Sequence, residues 1–81
     1  MNRQKALVDN GTLRQVVEFV GKEVSVFKLG ETDWAVDGRL RALDPYFGVW
    51  NNSAHVMFRI EAVLEARYDT TGQARHIELR S

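Results

Sequence analysis

The chain has 81 residues, no cysteine, and eleven basic residues balanced by eleven acidic ones. That length makes one domain with a core barely sufficient on its own, and the lack of cysteine excludes disulfides, thiolate catalysis and thiolate metal sites. A net charge of zero gives no overall steering toward nucleic acid or acidic membranes, so any anion-binding surface has to be local.

Apolar runs are only a few residues long, far short of a membrane span, and no signal peptide is expected ahead of the domain. The expectation is a cytoplasmic protein with no membrane partner. A small core without staples also makes homo-oligomerisation an expected source of stability.

Residues 1–10 have no clear period and read as an N-terminal arm. A short amphipathic helix follows over 12–20. Thr12 and Gln15 match a capping box, in which each side chain satisfies a free backbone N–H at the helix start. Leu13, Val16, Val17 and Val20 fall at i, i+3, i+4 and i+7, one helical stripe, and Gly21 is a natural left-handed C-cap.

The period then changes to two. "EVSVFKL" (23–29) alternates and is rich in β-branched residues, and "GETD" (30–33) supplies a turn. "WAVDGRLRALD" (34–44) places Trp34, Val36, Leu40 and Ala42 on one face and Asp37, Arg39 and Arg41 on the other. Gly38 in mid-strand predicts a sharp bend or a bulge. "YFGVW" (46–50) reads as a short strand and "NNS" (51–53) as a tight turn of residues that tolerate positive φ. "HVMFRIEAVLEARYD" (55–69) is too long a strand for so small a domain and has to bend or break around Ile60 to Ala62. Its Glu, Ala, Leu and Arg content also suits a second helix, whereas the strict alternation on either side favours strand. "TTGQ" (70–73) makes a hairpin turn before a last strand, "ARHIELR" (74–80). The whole is a single domain with a barrel core over 23–69 and an extra C-terminal hairpin strand within 70–81.

Candidate chemistry is sparse. His55 and His76 are the only histidines, and with no third ligand at metal spacing they read as surface strand residues. No nucleophile has an adjacent base, and no glycine-rich phosphate loop is present. Glu61 and Glu65 could meet Asp37 or Asp44 across space, but alternating Glu and Arg on a strand usually means solvation and cross-strand pairing. Neither an enzyme nor a cofactor is expected.

The segment "DPYFGVW" (44–50) carries more information. Phe47 and Trp50 each read as core fillers. Alternation puts Tyr46 and Gly48 opposite Phe47 and Val49, so that if one set is buried the other is presented. Tyr46 follows Pro45, where an exposed ring is held at low entropic cost. Stacking a base on such a ring contributes about 1–3 kcal/mol and tolerates sequence variation. Packing or an interface is the alternative role for Tyr46.

"LRQVVEFVGKEVSVFKLGE" and "DGRLRALDPYFGVW" resemble the first motif of the Sm-like proteins, including the Hfq type. Val24-Ser25-Val26-Phe27, Gly38-Arg39-Leu40 and Asp44-Pro45-Tyr46 match in order and spacing, and "HVMFRIEAVLEAR" is similar to the second motif, with Arg59 at its basic position. The match spans about residues 13 to 67. It departs where the family's Asn is Gly48, where the Lys-His pair reads Arg59-Ile60, and where residues 68 to 81 add a strand.

The resemblance implies a mainly β fold, a short N-terminal helix followed by a strongly bent five- or six-stranded antiparallel small barrel. It implies assembly into a homo-oligomeric ring by strand pairing between subunits. It further implies single-stranded RNA binding, U-rich in the Hfq type, without DNA specificity. Tyr46 would stack a base, Arg59 would form a basic ring by symmetry even in a neutral subunit, and Asp44 would shape the turn by accepting from backbone N–H groups. Phe27 would belong to a second, purine-preferring face. A rival reading is a non-catalytic protein-interaction or assembly module with the same barrel, of phage or mobile-element origin. The missing Asn and His favour the rival, and Tyr46 and Arg59 favour RNA. An unrelated α+β fold is the third alternative.

Overall fold

A computed structural model describes residues 10–81. The expected arm lies outside the described residues except for Asn10, which opens helix α1 (Asn10–Phe19). The helix thus already covers the two residues before the expected start, and Thr12 lies inside it rather than at its cap. Gln15 Nε2 donates to Glu18 Oε1 at 3.0 Å instead of reaching back to the helix start. Gly21, at φ +86°, ends the helix as its residue type predicts. Its N–H donates to the Leu40 carbonyl at 2.8 Å, tying the helix end to the sheet.

The buried helix face differs from the expected stripe. Val16 and Phe19 are fully buried and Val20 partly so, while Leu13 and Val17 are exposed. Phe19 sets this rotation. Its ring meets Tyr68 edge-on, with centroids 5.2 Å apart and planes at 77°, and the Tyr68 hydroxyl donates to Glu18 Oε2 at 3.1 Å. Burying an aromatic of this size contributes about 1.5–3 kcal/mol, more than the Leu13 and Val17 face gains from a partial contact.

Six strands follow: β1 (Glu23–Lys28), β2 (Trp34–Leu43), β3 (Tyr46–Trp50), β4 (His55–Phe58), β5 (Val63–Tyr68) and β6 (Arg75–Leu79). The run 55–69 breaks at Ile60–Ala62, where a single 3₁₀ turn is all that its helix-favouring composition yields. The strands form one sheet in the order β4-β3-β2-β1-β6-β5. An all-antiparallel sheet was expected. Instead β6 runs parallel to β1, while the other neighbouring pairs are antiparallel. The direction follows from the position of β6, the return strand of the β5–β6 hairpin, next to β1. β6 brings two fully apolar inward side chains, Ile77 and Leu79, both buried, whereas β5 buries only Val63 fully and leaves Ala66 and Tyr68 half-covered. β6 takes the interior slot beside β1, and β5 goes to the edge. The barrel expected over 23–69 is not closed: the sheet is open, with β4 and β5 as its two edges.

One face of the sheet holds the core. Val26, Leu40, Val49 and Ile77 are fully buried there beneath Val16 and Phe19 of α1. Gly38 is a point of close approach rather than a bulge, because the register of β2 against β1 runs through it without a shift. A Cβ at this position would lie 2.3 Å from the Trp50 carbonyl oxygen, closer than any side chain tolerates. The ladder's irregularity lies elsewhere, between Val63 and Glu65 opposite β6.

Two turns are held by side chains rather than by unusual backbone. Asn51 Oδ1 accepts from the N–H groups of Ser53 and Ala54 at 2.7 and 3.0 Å, and its amide donates to the Asp37 carbonyl at 2.7 Å. The turn forms without positive φ, which no described residue other than glycine adopts. Between β5 and β6, Asp69 Oδ1 accepts from the Thr71 hydroxyl at 2.7 Å and from the N–H groups of Thr71 and Gln73. Gly72, at φ +77°, completes that turn.

Candidate nucleic-acid interface

The residues expected to meet RNA are positioned by a pair of phenylalanines. Phe47 on β3 pairs with Phe58 on β4, and both rings turn inward and stack at 5.9 Å with planes 21° apart. Neighbouring side chains on a strand point to opposite faces. Tyr46, one residue before Phe47, and Arg59, one residue after Phe58, are therefore brought side by side on the outward face. The Arg59 guanidinium carbon lies 5.7 Å from the centre of the Tyr46 ring. Arg59 keeps an extended backbone at the end of β4, and its carbonyl accepts from Ala62 N–H at 2.9 Å, which anchors it to the 3₁₀ turn. Glu61 lies 3.6 Å away, a half-exposed ion pair of small energetic weight.

Asp44 and Pro45 form the turn between β2 and β3, with a cis peptide bond between them. The Asp44 carboxylate accepts no hydrogen bond among the described residues, unlike the role expected of it. Asn51 and Asp69 hold turns in that manner instead. The Asp69 carboxyl is lowered from 3.8 to about 2, chiefly by the Thr71 hydroxyl, against a smaller opposing effect of desolvation and with help from backbone N–H groups. Glu61 and Glu65 pair with Arg59 and Arg67, each at 3.6 Å, and not with Asp37 or Asp44.

Phe27 is separated from this cluster. It faces Ala35 at one end of β2, while Tyr46 faces Leu43 at the other, eight residues on. That separation is roughly 26 Å of strand at about 3.3 Å per residue. Phe27 meets His76 edge-on at 5.9 Å, in an open groove of about 620 Å³ that also includes Trp34, Leu29 and Arg67.

Sequence reasoning missed Trp50 as a surface residue. It lies on the same outward face as Tyr46, 38% exposed, with the Arg41 guanidinium carbon 5.0 Å from its ring centre. The signal was available in the parity of β3, since positions 46, 48 and 50 share a face. His55 and His76 lie on β4 and β6, and no group of three metal-ligating side chains occurs among the described residues. No described helix is long and apolar enough to cross a membrane.

The outward positions of β2, β3 and β4 thus interleave arginines with aromatic rings, an arrangement that can stack bases and meet phosphates together. No protein-family model, curated protein or solved structure matches the chain.

Proposed function

We propose that this chain is an Sm-like protein that assembles into a homo-oligomeric ring in the cytoplasm and binds single-stranded RNA on the outward face of β2–β3–β4. The observation that carries the reading is the Arg59–Tyr46 pair. The two side chains matched by the resemblance lie thirteen positions apart in sequence and become cross-strand neighbours, cation over ring, on an exposed face. A base on Tyr46 gains about 1–3 kcal/mol, more than the roughly 0.5–1 kcal/mol of an exposed cation–π contact that it displaces. The freed guanidinium then meets the adjacent phosphate. The open edges β4 and β5 support the assembly half of the reading, since unpaired edges are templates for strand pairing. One edge meeting the other, head to tail, gives a ring if the rotation closes.

A protein-interaction module is the second reading, favoured by Leu43 and Met57, 41% and 45% exposed beside Tyr46. Titration of labelled oligo-U at two salt concentrations separates the two. RNA binding predicts that Tyr46→Ala weakens affinity by about 1–3 kcal/mol without changing the native mass. Arg59→Ala should lower affinity and reduce the salt slope by roughly 0.7, the value for one phosphate contact on a single strand. A wild-type protein with no binding below about 100 μM at low salt, where nonspecific binders already register, would leave the interaction module as the reading. A stable monomer by light scattering at micromolar concentration would end the ring.

A further inference from the structure

We infer that Trp50, with Arg41 over its ring, is a second base-stacking position, and that, on the RNA reading above, one single strand lies extended across the face with bases on both Tyr46 and Trp50. Tyr46, Gly48 and Trp50 alternate on the outward side of β3, opposite the inward Phe47 and Val49. Gly48 leaves a gap in that row which its neighbours close. A Cβ there would lie 2.9 Å from Trp50 Cζ3 and 3.2 Å from Met57 Sδ. The indole is thus held down against the sheet instead of swinging in solvent, so little ordering is lost when a base stacks on it.

The charges on this face also fit the ligand. Its outward positions carry Arg39, Arg41 and His55 on β2 and β4, with Asp37 the carboxylate among them, and Arg59, paired with Glu61, follows at the end of β4. Arg39 is committed elsewhere, donating to the Gly21 carbonyl at the end of α1. Arg41 has no carboxylate partner among the described residues, and its guanidinium rests on Trp50. An exposed cation–π contact is weaker than base–aromatic stacking, so a base can take the ring while the guanidinium moves to a phosphate.

The same pair, one ring and one arginine, occurs twice on one strand face. A ligand whose own repeat is a base and a phosphate matches that repetition, and an acidic or aliphatic protein surface does not. Four residues of strand separate Tyr46 and Trp50 by about 13 Å along the backbone, and the indole leans back over Gly48 toward Tyr46, so that one strand can place bases on both rings.

The test uses Trp34→Phe, which leaves Trp50 as the one tryptophan of the chain. A uridine hexanucleotide should quench its emission at concentrations where uridine monophosphate does not. In the wild-type background, Trp50→Leu should weaken hexanucleotide binding about five- to 150-fold. Arg41→Gln should weaken it with a shallower salt dependence. These two variants decide the matter even if Trp34→Phe fails to fold. Unchanged Trp50 emission, with both variants at wild-type affinity while Tyr46→Ala still weakens binding, overturns the second position and leaves the RNA reading standing. A hexanucleotide that does not bind wild type overturns the RNA reading itself. Emission that shifts to the blue with rising protein concentration in the absence of RNA would show a second copy covering Trp50, and would also overturn the inference.

Discussion

The outward face of β2–β3–β4 and that of β1–β6–β5 belong to one sheet, yet their charged side chains are arranged differently. On the first, Arg41 and Arg59 lie over the rings of Trp50 and Tyr46. On the second, the outward positions include Glu23, Glu65 and Glu78, Arg67 is paired with Glu65, and Phe27 is half-buried against His76. A chain of zero net charge therefore sorts its charges by strand. The first half offers cations beside exposed rings, Arg59 while also paired with Glu61 and Arg41 with no carboxylate partner among the described residues. Among those residues the second half has no such ring beside its paired Arg67 and its three glutamates. Local arrangement, not summed charge, decides which half can hold a polyanion.

The largest effect is expected where the two halves join. Gly38 pairs with Val24 of β1 on one side and lies under the Trp50 carbonyl of β3 on the other. Overpacking a core costs about 1–3 kcal/mol when side chains can give way. Here the obstacle is backbone, so Gly38→Val should cost at least the upper end of that range by urea denaturation. A melting temperature equal to wild type would show that the close approach does not exist. Arg41 and Trp50 should also separate in this variant, which a loss of RNA binding at protein concentrations that keep it folded would report.

Next in size is the contrast of Tyr46 with Phe27. Tyr46→Ala should weaken oligo-U binding by about 1–3 kcal/mol, whereas Phe27→Ala, on the carboxylate-bearing half, should change it by less than about 0.5 kcal/mol, as expected of a residue outside the contact. Equal losses at both positions in a single titration would mean that the two halves act as one surface. A smaller effect belongs to the second half alone. Glu65 stands directly opposite Glu78, and like charges in that position repel. Glu78→Thr should therefore stabilise the fold by about 0.2–1 kcal/mol, and a lower urea midpoint in low salt would contradict the pairing.

The strands and the break at Ile60–Ala62 were legible because alternation fixes parity, and parity fixes which residues share a face. Tyr46 and Arg59 were joined only by the resemblance; in the fold the register that pairs Phe47 with Phe58 brings them together. The slot taken by β6 was not legible in the same way. Periodicity says which face of a strand is buried but not which strand lies beside it, so alternation carries no sign of the parallel pairing of β6 with β1. The helix face was misjudged because Phe19 falls outside the stripe of Leu13, Val16, Val17 and Val20, and one large ring against Tyr68 outweighed that regularity. For Trp50, size argued for the core and parity argued for the surface. Parity prevailed, since Gly48 and Met57 leave room for the indole on the outward side.

The smallest effect separates the two hairpin turns, one in each half. Asn51 closes the turn between β3 and β4 with a neutral amide, and Asp69 closes the turn between β5 and β6 with a carboxylate. The donors around Asp69, the Thr71 hydroxyl first, favour its ionised form and hold it at about 2 against an ordinary 3.8. Between those two values the unfolded chain binds more protons than the folded one, so stability rises with pH across that window. The contribution of Asp69 is thus complete above the ordinary aspartate value, shrinks as pH falls through it, and is gone below about 2. Asp69→Asn keeps an acceptor of similar shape but cannot titrate. The stability gap between wild type and Asp69→Asn should therefore close as pH is lowered through this window, while the gap between wild type and Asn51→Ala should stay constant. The side chain is at the surface, so the change is small and is best read as a difference of urea midpoints between proteins measured in parallel. A gap for Asp69→Asn that holds constant down to the lowest pH would mean that the carboxylate is not held by Thr71, and the turn would then rest on Gly72 and the backbone bonds alone.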